Sequence, residues 1–280
     1  MLDRMTNLTE RLLLHLEAVA RPRHARWDPL GLMAVRAYIT EQFSALGQVE
    51  EHSFRHGLDQ GVNLILRLPG RQADLHPLLV GAHYDGPLHS IGADDNASGV
   101  AALLELAQRW AATPPRRPVW LVAFDQEEWG MVGSAALAAE CKARRQPLHL
   151  MVSLEMLAYT SSEQRYPHPA MRHVFGDCGD FIALVANLAA GAQLPGLASR
   201  MGRHVTTKIL PVPDHGRAIP DVRLSDHSPF WDEGYNALMV TDTSFMRNPH
   251  YHQMSDTIDT LDMPFLAAVV EGLDCALSSL

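Results

Sequence analysis

At 280 residues and 47 % apolar, the chain is long enough to bury a full core, in one generous domain or two small ones. Its formal charge of −9, with no basic stripe, argues against a nucleic-acid partner. No apolar run approaches the roughly 20 residues that span a bilayer, and an N-terminal stretch interrupted by Arg11 and Glu17 is no signal peptide.

In chain order, residues 5–20 read as a helix that packs through Leu12, Leu13, Leu16 and Val19. Residues 30–46 read as a second, with Leu32, Val35, Tyr38, Ile39, Phe43 and Leu46 on one face. Residues 63–68 alternate weakly and stop at Pro69-Gly70, a strand and its turn. Three apolar segments then run directly into acids or histidine. Residues 78–82 meet His83-Tyr84-Asp85, residues 119–124 meet Asp125-Gln126-Glu127-Glu128, and residues 148–154 meet Glu155. After the first, a polar loop through Asp94-Asp95 opens a helix carrying Val100, Leu103, Leu104, Ala107 and Trp110, with Asn96 or Ser98 as N-cap. A helix over about 131–144 leads into the third segment.

Residues 156–180 hold Tyr159, Tyr166, Pro167, Pro169 and two glycines, and read as a long pocket-shaping loop. A helix near 181–192, short strands near 207–212 and 236–241, and a closing helix from about 263 complete the chain. Strands alternating with helices imply right-handed crossovers. The fold expected is a single three-layer α/β/α domain over 1–280, with a mostly parallel mixed sheet and helices on both faces. In it, helices of 5–46 pack on a catalytic core of 60–280. Cys141, Cys178 and Cys275 are widely spaced and form no CxxC pair, so they read as reduced thiols of a cytoplasmic protein. Secretion is expected only of a chain whose leader has been removed.

In an open α/β sheet the carboxyl ends of parallel strands line the ligand crevice, so residues at the three segment ends converge. Positions two apart on extended backbone point the same way, which puts Asp85 beside His83. Alone, His-x-Asp is weak, and Asp94-Asp95 or Glu127-Glu128 at a helix start is common on dipole grounds. Two adjacent ionised aspartates are easier to explain if one neutralises a cation. Glu155 says more, because an ionised carboxylate in so apolar a run is costly unless paired or bound to metal. Of the fifteen histidines, two are needed: His83, and His252 in the loop Pro249-His250-Tyr251-His252. A donor set of nitrogen and oxygen alone suits zinc in an open catalytic site, with manganese or cobalt possible. A carboxylate-rich set with two histidines is what a pair of divalent ions needs.

The segments Gly81-Ala82-His83-Tyr84-Asp85, residues 92–99, Glu127-Glu128-Trp129-Gly130, Leu154-Glu155-Met156, Ser225-Asp226-His227, and His252 with Asp256-Thr257 together resemble the co-catalytic zinc aminopeptidases. That family includes the bacterial leucine aminopeptidases and the one-zinc glutaminyl cyclases. The resemblance implies two zinc ions per chain bridged by Asp95, with Glu128 and His252 completing one site and His83 and Glu155 the other. Glu127 would be the general base, moving a proton from the bridging water to the leaving amine. Asp85 would support His83, and Asp226-His227 would be structural or pocket-forming. The best-known members have Asp in place of Glu155, whose longer arm still supplies an oxygen. A tyrosine that assists the carbonyl in some members has no counterpart before Ser225, and Arg223, Tyr159 or Tyr251 are the candidates to replace it. The implied function is an aminopeptidase acting on peptides with a free N-terminus, preferring an apolar first residue through the loops at 156–180 and 243–252. The alternatives are a glutaminyl cyclase-like acyltransferase with one zinc and a non-catalytic metal-binding homologue. Oligomeric state is left open by the sequence.

Overall fold

The computed structural model describes residues 7–280, so the first two residues of the helix expected at 5–20 lie outside it. Helix α1 (Leu8–Val19) begins at a capping box: the Asn7 side chain accepts the Glu10 N–H, and the Glu10 carboxylate accepts the Asn7 N–H. It buries Leu12, His15, Leu16 and Val19. Leu13, expected inside, is 37 % exposed, because the next residue on a helix turns about 100° away from Leu12. Helix α2 (Pro29–Ser44) has proline in its first turn, where no N–H is missed, and buries Leu32, Val35, Ile39 and Phe43. Tyr38 and Leu46 pack at the margin of the core.

A hairpin follows, of strands β1 (Val49–His56) and β2 (Asp59–Leu68), so the strand expected at 63–68 starts earlier and has an unforeseen partner. Strand β1 reads Val-Glu-Glu-His-Ser-Phe-Arg-His and buries only His52 and Phe54. It is a sheet edge, where charge discourages pairing with other chains, and that charge hides the strand from a hydrophobicity pattern.

The core is β3 (Leu78–His83), α3 (Gly99–Ala112), β4 (Val119–Phe124), α4 (Val132–Ala143) and β5 (Leu150–Glu155). Then come α5 (Met171–Phe175), β6 (Ile182–Asn187), α6 (Leu188–Gly191), α7 (Leu194–Met201) and β7 (Thr207–Val212). Helix α8 (His227–Asp232), β8 (Ala237–Thr241) and α9 (Met263–Leu277) close the chain. The eight strands form one sheet in the order β1-β2-β4-β3-β5-β8-β6-β7. Strands β4, β3, β5 and β8 run parallel; β2 opposes β4, and the parallel pair β6–β7 opposes β8. Along β3 and β5, successive residues alternate between two cores. Leu78, Val80, Leu150 and Val152 join α1, α2, α3, α7 and α9 on one face, while Leu79 and Met151 join α4 and α8 on the other. A sheet covered on both faces explains why these strands read as unbroken apolar runs.

One sequence expectation fails here. Residues 182–187 are a strand, not part of a helix over 181–192, and only Leu188–Gly191 is helical. An apolar run broken only by Asn187 does not separate a buried strand from a buried helix; β6 is buried on both faces between β8 and β7. Helix α7, not foreseen, follows directly. The cap of α3 is also divided. Asn96 Oδ1 accepts the Gly99 N–H at 3.2 Å, whereas the Ser98 hydroxyl donates to Asp94 O and accepts from Leu157. Among the described residues no helix is long and apolar enough to cross a membrane.

Candidate metal centre

His83 and Glu155 are the last residues of β3 and β5, separated by one strand spacing at the carboxyl end of the sheet. Glu127 and Glu128 lie in the turn beyond β4, which Gln126 enters in the left-handed region at φ 59°. Asp95 comes from the kinked turn Ala93–Ser98 that precedes α3, where it and Asn96 leave helical backbone, and its peptide bond to Asn96 is cis. His252 arrives from the loop between β8 and α9, also left-handed at φ 56°. Non-glycine residues in this conformation cluster at ligand sites, where the surroundings hold them against strain.

All five expected ligands meet, and Glu127 meets them. His83 Nε2 lies 3.4 Å from Asp95 Oδ1, 3.6 Å from Glu155 Oε2 and 4.0 Å from Glu127 Oε2. His252 Nε2 lies 3.1 Å from Asp95 Oδ2 and 3.3 Å from Glu128 Oε2. Asp95 thus turns one oxygen towards each histidine. Among the described residues, three sets have donor atoms within 4.8 Å of one another: His83-Asp95-Glu155 and Asp95-Glu128-His252, which share Asp95, and His83-Glu127-Glu128.

The electrostatics suit a cation. Burial pushes Glu127 well above the usual carboxylate range and Glu128 up to about 7; Glu155 also rises. Burial would lower both histidines, but the surrounding carboxylates outweigh it. His83 is carried well above its ordinary value, chiefly by Glu127 and Glu155, and His252 reaches about 10 beside Asp95 and Glu128. So many buried acids hold together only with positive charge among them, which protons or a divalent ion can supply. Glu128 Oε1 is buried without a hydrogen-bond partner. Oxygen and nitrogen donors with an unused buried oxygen fit zinc in an open site.

Around the centre, Asp85 has two tasks. Its oxygens accept the backbone N–H of Glu127 at 3.0 Å and of Glu128 at 3.2 Å, and Oδ1 stands 3.5 Å from His83 Nδ1. The carboxylate beside the histidine therefore also shapes the glutamate turn. Asp94 does not face the cluster: it accepts the Ala158 N–H and the Asn248 amide. Asp256 accepts the N–H groups of Asp94 and Asp95. The longer arm of Glu155 is steadied by the Ser225 hydroxyl at 2.8 Å, which lies 2.7 Å from the Ser153 hydroxyl. Asp226 is fully buried behind the centre, and burial raises it to about 7. His227 is a packing residue: its Nε2 meets Val222 O at 2.9 Å, its ring lies edge-on to Trp231, and burial lowers it to about 3.

Of the three residues suggested for the carbonyl, the structure brings one to the site. Tyr251 lines the cavity beside the centre and stacks on His252. Arg223 turns away to His215 O and Asp232, drawn by an accessible carboxylate on α8. Tyr159 lines a separate cavity; its N–H is tied to Asp242 and its ring packs on His250.

The main cavity, about 240 Å³, opens from the centre along the sheet. Glu155 pairs with Thr241, Thr241 with Ala183, and Ala183 with Lys208, so the four stand in one row across β5, β8, β6 and β7. Paired residues share a face of the sheet, and the single methyl of Ala183 leaves the space above it open. Met131, Phe175, Phe181, Leu210, Met239 and Phe245 make the walls. The expectation that loops 156–180 and 243–252 line the pocket agrees with Tyr166, Met171, Phe175, Phe245 and Tyr251.

A model of peptidase family M28 matches residues 63–273. The Escherichia coli protein YfbL is 38 % identical over 221 residues, 72 % of this chain, which spans 66 % of that relative's length. Among solved structures, the Legionella pneumophila LapA aminopeptidase superposes with a TM-score of 0.72 at 17 % identity, over 97 % of this chain and 73 % of its own. The zinc aminopeptidase BSAP of Bacillus subtilis gives 0.58 at 21 %, over 78 % and 49 %. A Macrostomum lignano glutaminyl cyclase gives 0.73 at 18 %, over 98 % and 92 %. At such identities the structural likeness is one of fold.

Proposed function

We propose that this chain, which belongs to peptidase family M28, is a zinc-dependent aminopeptidase that releases apolar N-terminal residues from peptides. The observation that supports it is Asp95, which offers one oxygen to each of two histidine-containing groups. His83 and Glu155 would hold one zinc ion, Glu128 and His252 the other, with Asp95 between them. Bound there, zinc supplies a Lewis acid for the scissile carbonyl and makes a nearby water easier to deprotonate.

The rest of the chemistry falls to this chain's own residues. Glu127 lines the cavity at the edge of the cluster, where a carboxylate can take a proton from water and return it to the leaving amine. Its raised proton affinity suits that exchange. Asp85, through the Glu127 and Glu128 amides, fixes the turn that aims this base. The substrate's ammonium is drawn to the acidic cluster, and its first side chain enters the apolar cavity. Tyr251 is the donor available to the carbonyl oxygen.

The rival within the fold is glutaminyl cyclisation on one zinc, held by Asp95, Glu128 and His252. The second group argues against it, since His83 and Glu155 stand ready for a further ion. Zinc-loaded protein should hydrolyse leucyl-anilide and leave glutaminyl peptides uncyclised. Cyclisation without anilide hydrolysis would reverse the assignment.

A further inference from the structure

Arg23 lies between α1 and α2, ahead of the stretch that matches the family model, and is fully buried. Its guanidinium is spent entirely on backbone carbonyls. Nε donates to Tyr84 O at 3.0 Å, Nη1 to Arg21 O at 3.2 Å and to Ile91 O, and Nη2 to Gly92 O at 2.9 Å and Asp95 O at 3.1 Å. A guanidinium has five N–H donors in a rigid fork, and each has an acceptor here. The negative charges that favour this buried cation are Asp95, Asp85, Asp256 and Glu128, all in or around the centre.

The identity of the carbonyls gives the arrangement its meaning. Tyr84 follows His83, Ile91 and Gly92 lead into the kinked turn of 93–98, and Asp95 is the carboxylate shared by the His83-Asp95-Glu155 and Asp95-Glu128-His252 groups. One side chain therefore ties the end of β3 to the turn that carries Asp95. Asp256 holds the Asp95 N–H and Arg23 holds its C=O, so that backbone is gripped from both sides. The glycines around the fork leave it room. A Cβ on Gly92 would fall 1.9 Å from Asp95 O and 2.9 Å from Arg23 Nη2, and one on Gly86 would fall 3.0 Å from Arg23 Cγ.

We infer that Arg23 is a positioning residue of the metal centre: by gathering the Tyr84, Gly92 and Asp95 carbonyls it fixes Asp95 relative to His83, and cation affinity depends on it. This rests on the metal reading above. Groups that orient metal ligands typically contribute about 10- to 100-fold in affinity. The experiment measures zinc affinity by competition with a chromophoric chelator, and melting temperature with and without zinc, for wild type, Arg23→Lys, Arg23→Met and Gly86→Ala.

Lysine keeps the charge but has three donors in place of five. About tenfold weaker zinc binding is expected in Arg23→Lys, with a smaller zinc-induced rise in melting temperature. Gly86→Ala, which crowds the guanidinium without removing it, should shift both in the same direction by less. If Arg23→Met does not fold, these two variants carry the test. Equal losses of melting temperature with and without zinc, at unchanged zinc affinity, would make Arg23 a plain link between helices and overturn the inference. A wild type that binds no zinc would bring down the metal reading itself.

Discussion

His83 and His227 are equally cut off from water, at 1 % and 0 % exposure, and sit in opposite surroundings. His83 stands among Asp85, Asp95, Glu127 and Glu155, which carry its proton affinity well above normal. His227 is packed under Trp231 with a carbonyl as its hydrogen-bond partner, and burial lowers it to about 3. The difference teaches that burial alone does not make a histidine a ligand. What counts is the number of carboxylates that the strand ends bring to it. Each has an aspartate within two positions in the sequence, yet only one faces the cluster.

The comparison is broken most severely at the centre. Glu127→Gln keeps the shape of the turn and removes the base, so anilide turnover should fall by about 10²- to 10⁴-fold with zinc content unchanged. Undiminished turnover would remove Glu127 from its role. Beside the centre lies the cavity floor, where Ala183→Phe fills the gap left by one methyl. The preference for leucyl over alanyl substrates should then drop by roughly tenfold, about 1.4 kcal/mol, within the range one or two methylenes command in an apolar pocket; kcat/KM for the pair reads it directly.

At His227 the effect is on stability and its sign follows from linkage. The folded value lies near 3 and the unfolded one near 6.5, so below about 6.5 the unfolded chain binds the extra proton. Stability is therefore lost as pH falls from about 6.5 towards 3, by at most about 1.4 kcal/mol per pH unit. His227→Asn should flatten that acid limb in denaturant melts. An identical limb in both proteins would contradict the neutral, buried assignment.

Much of this was legible in the sequence, for definable reasons. Apolar runs ending in His83 and Glu155 mark parallel strands covered on both faces, and the carboxyl-end rule then predicts that their last residues meet. The polar edge strand β1 left no such pattern, and the apolar residues 182–187 fitted either element until β8 and β7 flanked them. Arg223 and Tyr159 were drawn to the pocket by proximity in sequence, but Asp232 and His250 turn them elsewhere. Arg23 gave no signal, because its partners are carbonyls and every residue has one. Asp85 was placed beside His83 by strand alternation; its hold on Glu127 and Glu128 depends on a turn no periodicity describes.

The central claim is that Asp95 serves two cation sites at once. Crystals grown with zinc, measured above and below the absorption edge of the metal, should show two anomalous peaks about 3.5–4 Å apart with Asp95 between them, and Asp95→Asn should weaken both. A single peak at Glu128 and His252, with His83 and Glu155 left to each other, would contradict it.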